Sequence, residues 1–554
     1  MAIKKYYAIA DNTITNAYKL NLSTRGTGAN AGAADVMEIF SIYGRQSTSS
    51  AELARALIKF PISQITTDRS NSKIPASGSV KFYLKLFNAE HSKTVPSGNF
   101  TIVAEPLSRD WQEGFGLDLE GYKDTTNGNR GSNWMSASDS VAWTKNGGDY
   151  VTTANAAYPY RWFSQSFYTG LEDIELDITQ MVELWSAGTL DNFGLGVHLS
   201  GAYEASSSMP YVVNSEYTII FNPTGSTESY YTKRLFARGS QYFYKRPAIE
   251  ARWDSSKKDD RGDIYYSSSL AGVNDNLNTL FLYNYIRGQL ADIPSIGTDA
   301  IYVSFYSGSA DNSVPTGSLQ TSSYTPNPPG AHTRAAILLP TTLPRQWVMD
   351  DDGTVSTNPY VVTGAWVSTG IYSASFAITG ATNPLTKVFD VWHDGSGKNK
   401  PWASVEFATS SFNPLNMSAS NVTVAPVNHL NVTNLRDTYR SNENARFNLF
   451  VRNKYWQPTS YTVANSTIEN TTIASASYRV YRVLDAYEAV AYGTGSDLHT
   501  KLSCDISGNY FDLDMKLLEP GYAYAFKFAF YDNSLSSWVE QPQTFKFRVE
   551  DYEY

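Results

Sequence analysis

The chain has one cysteine, Cys504, in 554 residues, and a lone thiol excludes a disulfide framework within the chain. No apolar run approaches the ~18 residues that a membrane-spanning helix requires. The start, Met1-Ala2-Ile3-Lys4-Lys5-Tyr6-Tyr7-Ala8-Ile9-Ala10-Asp11, places two lysines before no apolar stretch of signal-peptide length. Heptads, a fixed repeat of about 20–50 residues and a long low-complexity tail are also missing, which excludes a coiled-coil shaft and a solenoid. Positive charge is scarce: 44 Lys and Arg against 53 Asp and Glu leave a net charge of −9. That sign argues against nucleic acid or an anionic membrane as the main partner.

What the chain does have is strand material. It carries 39 Tyr, 26 Phe and 12 Trp, with many β-branched residues punctuated by Gly, Pro and Asn. The clearest alternation early on is Val80, Phe82, Leu84 and Leu86 against Lys81 and Lys85, a half-buried strand. Arg55 to Ile62 is another candidate, with Pro61 marking a strand end or sheet edge. One short helix is predicted over Asp177 to Gly188: Asp177 caps the first turn, Gln180 completes a capping box, Trp185 sits near the end and Gly188 supplies the left-handed residue. Asp254 to Asp263 has the composition of a linker. Beyond it, strands are expected at Thr279 to Tyr285, Ala300 to Tyr306, Ala336 to Leu339, Gly364 to Ile378 and Val388 to Trp392. In the last third, Tyr522, Tyr524, Phe526, Phe528 and Phe530 share one face, Phe511, Leu513, Met515 and Leu517 another, and Phe545, Phe547 and Val549 a third. The fold class read from this pattern is all-β, three β-sandwich domains in series over 1–254, 255–420 and 421–554, with one short helix in the first.

Three stretches resemble known families. Ala10-Asp11, Arg55 to Phe60, Trp111-Gln112-Glu113, the helix ending at Trp185, Asn192-Phe193-Gly194-Leu195 and Arg246-Pro247 stand in the order seen in the DNRLRE family. That resemblance implies a jelly-roll-like sandwich of the kind found in bacterial surface proteins and phage particles. The name-giving hexapeptide itself is missing. Gly364-Ala365-Trp366 through Phe376 resembles a segment recurring in virion proteins of marine and cyanobacterial phages. Leu518, Pro520, Gly521 and Tyr524 resemble the Leu-x-Pro-Gly-x-x-Tyr corner of fibronectin type III domains, where a tyrosine hydroxyl ties back to the backbone.

Candidate chemistry is sparse. Six histidines, His91, His198, His332, His393, His429 and His499, lack metal-ligand spacing. Gly26 to Gly32 misses the dinucleotide fingerprint, and Gly395-Ser396-Gly397-Lys398 misses the phosphate loop. Asp350, Asp351 and Asp352 form a weak calcium option that fails an EF-hand register, so a solvated turn is expected. Arg261-Gly262-Asp263 copies an integrin-binding tripeptide inside the linker. The sequons at Asn416, Asn421, Asn431, Asn465 and Asn470 matter only in a secreted eukaryotic protein. No catalytic residues and no cofactor are assigned. A strand-rich chain without an export signal fits a protein that matures in reducing cytosol and works outside cells. The expectation is therefore a non-enzymatic structural protein of a tailed-phage virion, a tail, baseplate or neck appendage assembled in the host cytoplasm. Its partners would be other virion proteins and copies of itself, with no nucleic acid and no membrane. A host-glycan-binding adhesin is the alternative, with a polysaccharide-degrading enzyme behind it.

Overall fold

The computed structural model describes residues 2–43, 51–90, 99–123, 130–151, 162–207, 220–266, 268, 276–307, 361–378, 387–394, 405–415, 427–456, 470–505, 507–532 and 535–552. The chain is all-β and multi-modular, with two short α-helices among the described residues. Ala336 to Leu339 and Asp350 to Asp352 lie outside them.

The first module pairs two antiparallel sheets. One runs Ile3–Tyr7, Ala248–Arg252, Lys81–Leu86, Ile174–Asp177. The other runs Tyr230–Phe236, Val36–Tyr43, Ala51–Lys59, Leu195–Leu199, Phe100–Pro106, Phe163–Phe167, with Ala10–Thr15 also paired to Ala51–Lys59. Alternation explains the core. Phe82, Leu84 and Leu86 point inward with Ile249 and Ala251 and meet Ile58, Ile102 and Val197 of the opposite sheet. The outer face of the larger sheet is covered by the excursion after Pro106, where Trp111, Trp134 and Trp143 make a second small core with Leu53 and Leu57.

Both helices belong to this module. Ile178 precedes helix α2, Thr179–Ser186, and makes no side-chain cap. Asp177 lies one residue earlier, and its Oδ1 accepts the Thr179 N–H at 3.0 Å, so it satisfies a free amide from outside the helix. Gly188 adopts φ +70°, which only glycine takes without strain. Helix α1, Ile62–Ser70, starts right after Pro61 and was not anticipated. Its intrinsic signal is poor, with Ile and Thr abundant and no N-terminal side-chain cap. Tertiary contacts hold it instead: Ile62 and Ile65 enter the core, and Arg69 binds Glu183 of α2 in a bidentate pair at 2.9 and 2.7 Å.

The middle module forms one six-stranded antiparallel sheet among the described residues, ordered Asn278–Tyr283, Ile371–Phe376, Val361–Ser368, Ile301–Ser307, Val388–His393, Glu406–Phe412. Strand Val361–Ser368 pairs with Ile301–Ser304 through its first half and with the Ile371 strand through its second. The sheet curls there, and Phe376 comes to lie 5.7 Å from Phe412 and 4.4 Å from Phe305.

The last module is a two-sheet sandwich. Asn428–Val432, Asn444–Asn453, Gly508–Asp514 and Ser503–Asp505 make one sheet. The other runs Thr438–Arg440, Phe545–Glu550, Ala523–Asp532, Ala476–Arg482, Glu488–Val490, with Ser537–Glu540 on the side. Tyr524, Phe526, Phe528 and Phe530 are buried on one face, as are Ala525 and Ala529 on the other. The alternation expected to run through Leu517 breaks at Asp514. The Asp514 carboxylate accepts the Lys516 N–H, and Met515 to Leu517 wind into a single 3-10 turn whose Met515 and Leu517 still reach the core.

Phe526 stacks on Phe547 at 4.6 Å and packs edge-on against Phe447 at 4.7 Å. Phe526→Ala is expected to destabilise the last module by roughly 3–5 kcal/mol, while Lys546→Ala on the exposed side stays within about 0.5 kcal/mol; guanidinium unfolding of both variants checks the contrast.

Candidate functional site

The residues singled out from sequence occupy structural positions. Trp185 is buried in the first core, and Leu518 and Tyr524 in the last. Tyr524 Oη donates to the Glu519 carbonyl at 2.9 Å, Gly521 takes φ +89° and donates to the Val549 carbonyl at 2.8 Å, and half-buried Pro520 turns the chain between them. Several of the residues carrying the DNRLRE resemblance are in contact in the first module. Asp11 N donates to Glu113 at 2.8 Å, Trp111 Nε1 to the Phe193 carbonyl at 2.8 Å and Asn192 Nδ2 to the Phe60 carbonyl at 2.9 Å. Burial pushes the Asp11 carboxyl up to about 7.

Of the other motifs, Gly26 to Gly32 is an irregular connection folded against Gly114 and Tyr122. Arg261 is withdrawn from any partner. Its guanidinium binds Asp259 and Asp390, the latter at 2.5 Å, and anchors the segment to the middle sheet. His91, His332 and Gly395 to Lys398 lie outside the described residues, as do Asn416, Asn421 and Asn465. Asn431 is on a strand, and Asn470 Oδ1 accepts the Val451 N–H at 3.1 Å.

Three groups of ionisable side chains have enough proximity for chemistry. Ser304 Oγ lies 2.8 Å from His393 Nε2, the spacing of a nucleophile and its base. Both are walled into the middle sheet at 1% and 0% exposure, and burial lowers the imidazole to about 4, so the pair ties neighbouring strands. Arg55, on the outer face of the larger first sheet, makes a bidentate pair with Glu204 at 2.9 Å and faces the Trp134 and Tyr150 rings. His198 Nδ1 stands 3.7 Å from Glu204 and Nε2 3.6 Å from Glu105. Arg55 Nη1 also donates to the Gly147 carbonyl at 3.2 Å, which ties the Trp-rich excursion to the sheet.

The third group forms the densest ionic lattice and joins the first module to the last. Ile3, Lys5, Tyr83, Lys85, Glu175, Glu250 and Arg252 project from the outward face of the four-stranded sheet, opposite the core side chains of the same strands. Arg252 binds Glu250 at 2.6 Å and Glu175 at 2.8 Å, lies over the Tyr83 ring at 4.3 Å, and stands 3.6 Å from Asp497 of the last module. Lys85 pairs with Glu175, and Lys5 is 3.7 Å from Glu250. Burial alone would raise the Glu250 carboxyl, but Lys5, Arg252 and Lys85 outweigh it and hold it down at about 2. Ile3 enters the core of the last module, and Phe87 packs on Tyr487 at 6.4 Å.

The segment expected to be a solvated linker completes this junction. Cys504 N donates to the Lys257 carbonyl at 2.9 Å, Asp259 N to the Cys504 carbonyl at 3.0 Å, and Lys257 N to Ser503 Oγ at 2.9 Å. The segment thus lines the edge of Ser503–Asp505 before entering the middle module, where Tyr283 and Tyr510 share a hydroxyl contact at 2.8 Å. Its polar composition satisfies backbone and carboxylate partners. Cys504 is buried there and its thiol pushed up to about 12, which leaves it inert. A water-sized cavity of about 30 Å³ sits between the modules, lined by Ala2, Lys257, His499 and Tyr510 among others.

A second recess is open and polar, about 400 Å³, lined by Thr27, Gly28, Asn133, Met135, Ser136, Ser138, Asp139 and Ser140. Its Met135 N and Ser136 N donate to Asn133 Oδ1 at 2.9 and 2.8 Å, so the turn carries its own support. Sequence reasoning missed both the junction and the Arg55 pair. The available signal was Glu250 and Arg252 alternating with Ile249 and Ala251, and an arginine set among Ala54, Ala56 and Leu57.

The class defined by this architecture is an all-β, multi-module protein with its modules clamped together. No family model matches the chain and no curated protein matches it. Among solved structures, the tandem Ig repeats of Dlar are similar at 9% identity and TM-score 0.13, covering 37% of this chain and 82% of that one. A chimeric titin Z1Z2 functionalized with a decorin peptide gives 12% identity and TM-score 0.14, covering 51% and 91%. Salmonella alpha-2-macroglobulin reacted with methylamine gives 9% and 0.14, covering 93% of this chain and 26% of that one. Similarities this weak carry no argument about what the chain does.

Two outcomes test the junction. Arg252→Ala strands the buried Glu250 with only Lys5 nearby and is expected to destabilise the protein by roughly 3–5 kcal/mol, read as a lower denaturation midpoint. His499 is held below its ordinary 6.5, at about 4, by burial and then by Arg252. The unfolded state therefore takes up the proton first, and this contribution to stability is present above about 6.5 and lost as pH falls towards 4. Melting curves of His499→Gln and the parent chain should accordingly differ in pH slope only within that window.

Proposed function

We propose that the chain is a non-enzymatic structural subunit of a tailed-phage virion, a tail, baseplate or neck appendage that matures in the host cytoplasm and acts through protein–protein assembly. The observation that carries this reading is the three-way junction of Ile3, Arg252, Asp259, Asp497 and Cys504. Its apolar, backbone and ionic contacts hold the modules together, and a subunit that sits in a symmetric assembly needs a fixed relation between its surfaces. An edge strand supports the same reading. Ser537–Glu540 lies on the side of the larger sheet of the last module; such edges pair with neighbouring chains unless guarded. The partners are then other virion proteins and copies of this chain.

The residues resembling the DNRLRE pattern and the fibronectin-type corner fit this use, since such sandwiches serve as bead-like building blocks. A second reading, binding of a host-surface glycan, draws on the polar recess beside Asp139, whose serine and asparagine side chains suit sugar hydroxyls.

Mass spectrometry of purified particles, with an averaged image locating the subunit, tests the first reading: the chain should be present in a fixed copy number at a symmetric position. Its absence from particles would overturn the proposal. Saturable glycan-array binding that Asp139→Ala abolishes would favour the second reading, and release of reducing ends from a polysaccharide would point to an enzyme.

A further inference from the structure

Strand Tyr230–Phe236 has an anomaly in its alternation. Tyr231, Lys233 and Leu235 share the inward register, so a lysine stands between two core side chains, and it is fully buried. Lysine seldom occupies such a place, because burying an ammonium costs more than its stem gains. Its Nζ donates to Asn88 Oδ1 at 2.7 Å, to the Gly170 carbonyl at 2.8 Å and to the Glu172 carbonyl at 2.5 Å, and lies 5.1 Å from the Phe167 ring centroid. All three acceptors are neutral. Burial pulls the ammonium down to about 8, with Asp173 and then Glu172 only partly offsetting it. A fraction of the lysine is therefore free amine at neutral pH.

Asn88 is set in place from two sides. Its backbone N–H donates to Asp173 Oδ1 at 2.7 Å, and it forms an antiparallel bridge with Leu235 of the lysine strand. The amide carbon Cγ is one bond beyond the oxygen that Nζ already touches. Amine and amide thus touch, with the Asp173 carboxylate held beside them on the Asn88 backbone N–H, and proximity replaces the encounter a bimolecular amidation would need.

We propose that Lys233 and Asn88 become joined by an intramolecular isopeptide bond that staples the edge strand of the larger sheet to the segment leaving Lys81–Leu86 of the smaller one. In this step Nζ, as the free amine, forms a bond to Cγ of Asn88. Asp173 takes the proton shed by the nitrogen and delivers it to Nδ2, the Cγ–Nδ2 bond breaks, and ammonia leaves. The step is redox-neutral and consumes no co-reactant. Asn88 is only half-buried, which gives ammonia an exit.

Intact-mass measurement of the purified full chain should show a mass lower than the sequence mass by one ammonia, and proteolytic mapping should give one branched peptide joining the Asn88 and Lys233 segments. Lys233→Arg should return to its full sequence mass. Asn88→Asp should lose water instead and reach the same final mass as the parent. Asp173→Asn should remain mostly uncross-linked while keeping its circular-dichroism spectrum, which separates proton transfer from folding. A folded parent chain that stays at its full sequence mass would overturn the proposal and leave Lys233 as a buried ammonium. Ammonia loss that maps to a linear peptide, as in cyclic-imide formation, would overturn it as well.

Discussion

Arg252 sits where a strand turns its polar face outward, and in an isolated sandwich that face would be wetted. Here the last module removes the water, so the guanidinium is satisfied by Glu250 and Glu175 on its own sheet and by Asp497 across the gap. A pair as dry as Arg252–Glu250 contributes little net stability compared with an apolar surface of the same shape, but breaking it is expensive. The lattice therefore acts on geometry. A shift in register between the modules would take Asp497 away from Arg252 and draw Ile3 out of the core of the last module. The path of Asp254 to Asp263, the burial of Cys504 and the placing of the middle module against Tyr510 all follow from that fixed docking.

How far the sequence revealed this depends on the range of the interaction. Alternation within a strand is local, and it located Lys81–Leu86, Ala523–Asp532 and Phe545–Glu550 together with their buried faces. It also put Lys81 and Lys85 on the face opposite the core. What it could not provide was the cover on that face, because Asp497 and His499 lie far along the chain and carry no mark of their destination. The same limit explains the linker reading. Asp259 and Arg261 look solvated in sequence, yet their carboxylate and guanidinium close onto Phe281 and Asp390. Helix α1 escaped notice for a related reason. Its residues favour neither state strongly, and packing on α2 through Arg69 and Glu183 decides the outcome.

Lys233 and Arg252 are two cations removed from water, and they are handled in opposite ways. Arg252 is surrounded by carboxylates that stabilise its charge, and its pKa is raised. Lys233 touches only neutral oxygens, with its nearest carboxylates acting from farther out, and its pKa falls. A guanidinium cannot shed its proton in this range, so a charged lattice is the only stable solution for Arg252. An amine can, and a site that disfavours its charge while presenting an amide carbon favours the nucleophilic form. The difference between the two sites therefore lies in the sign of the shift that the surroundings impose. It separates a cation kept for docking from one whose lone pair can be used to make a bond.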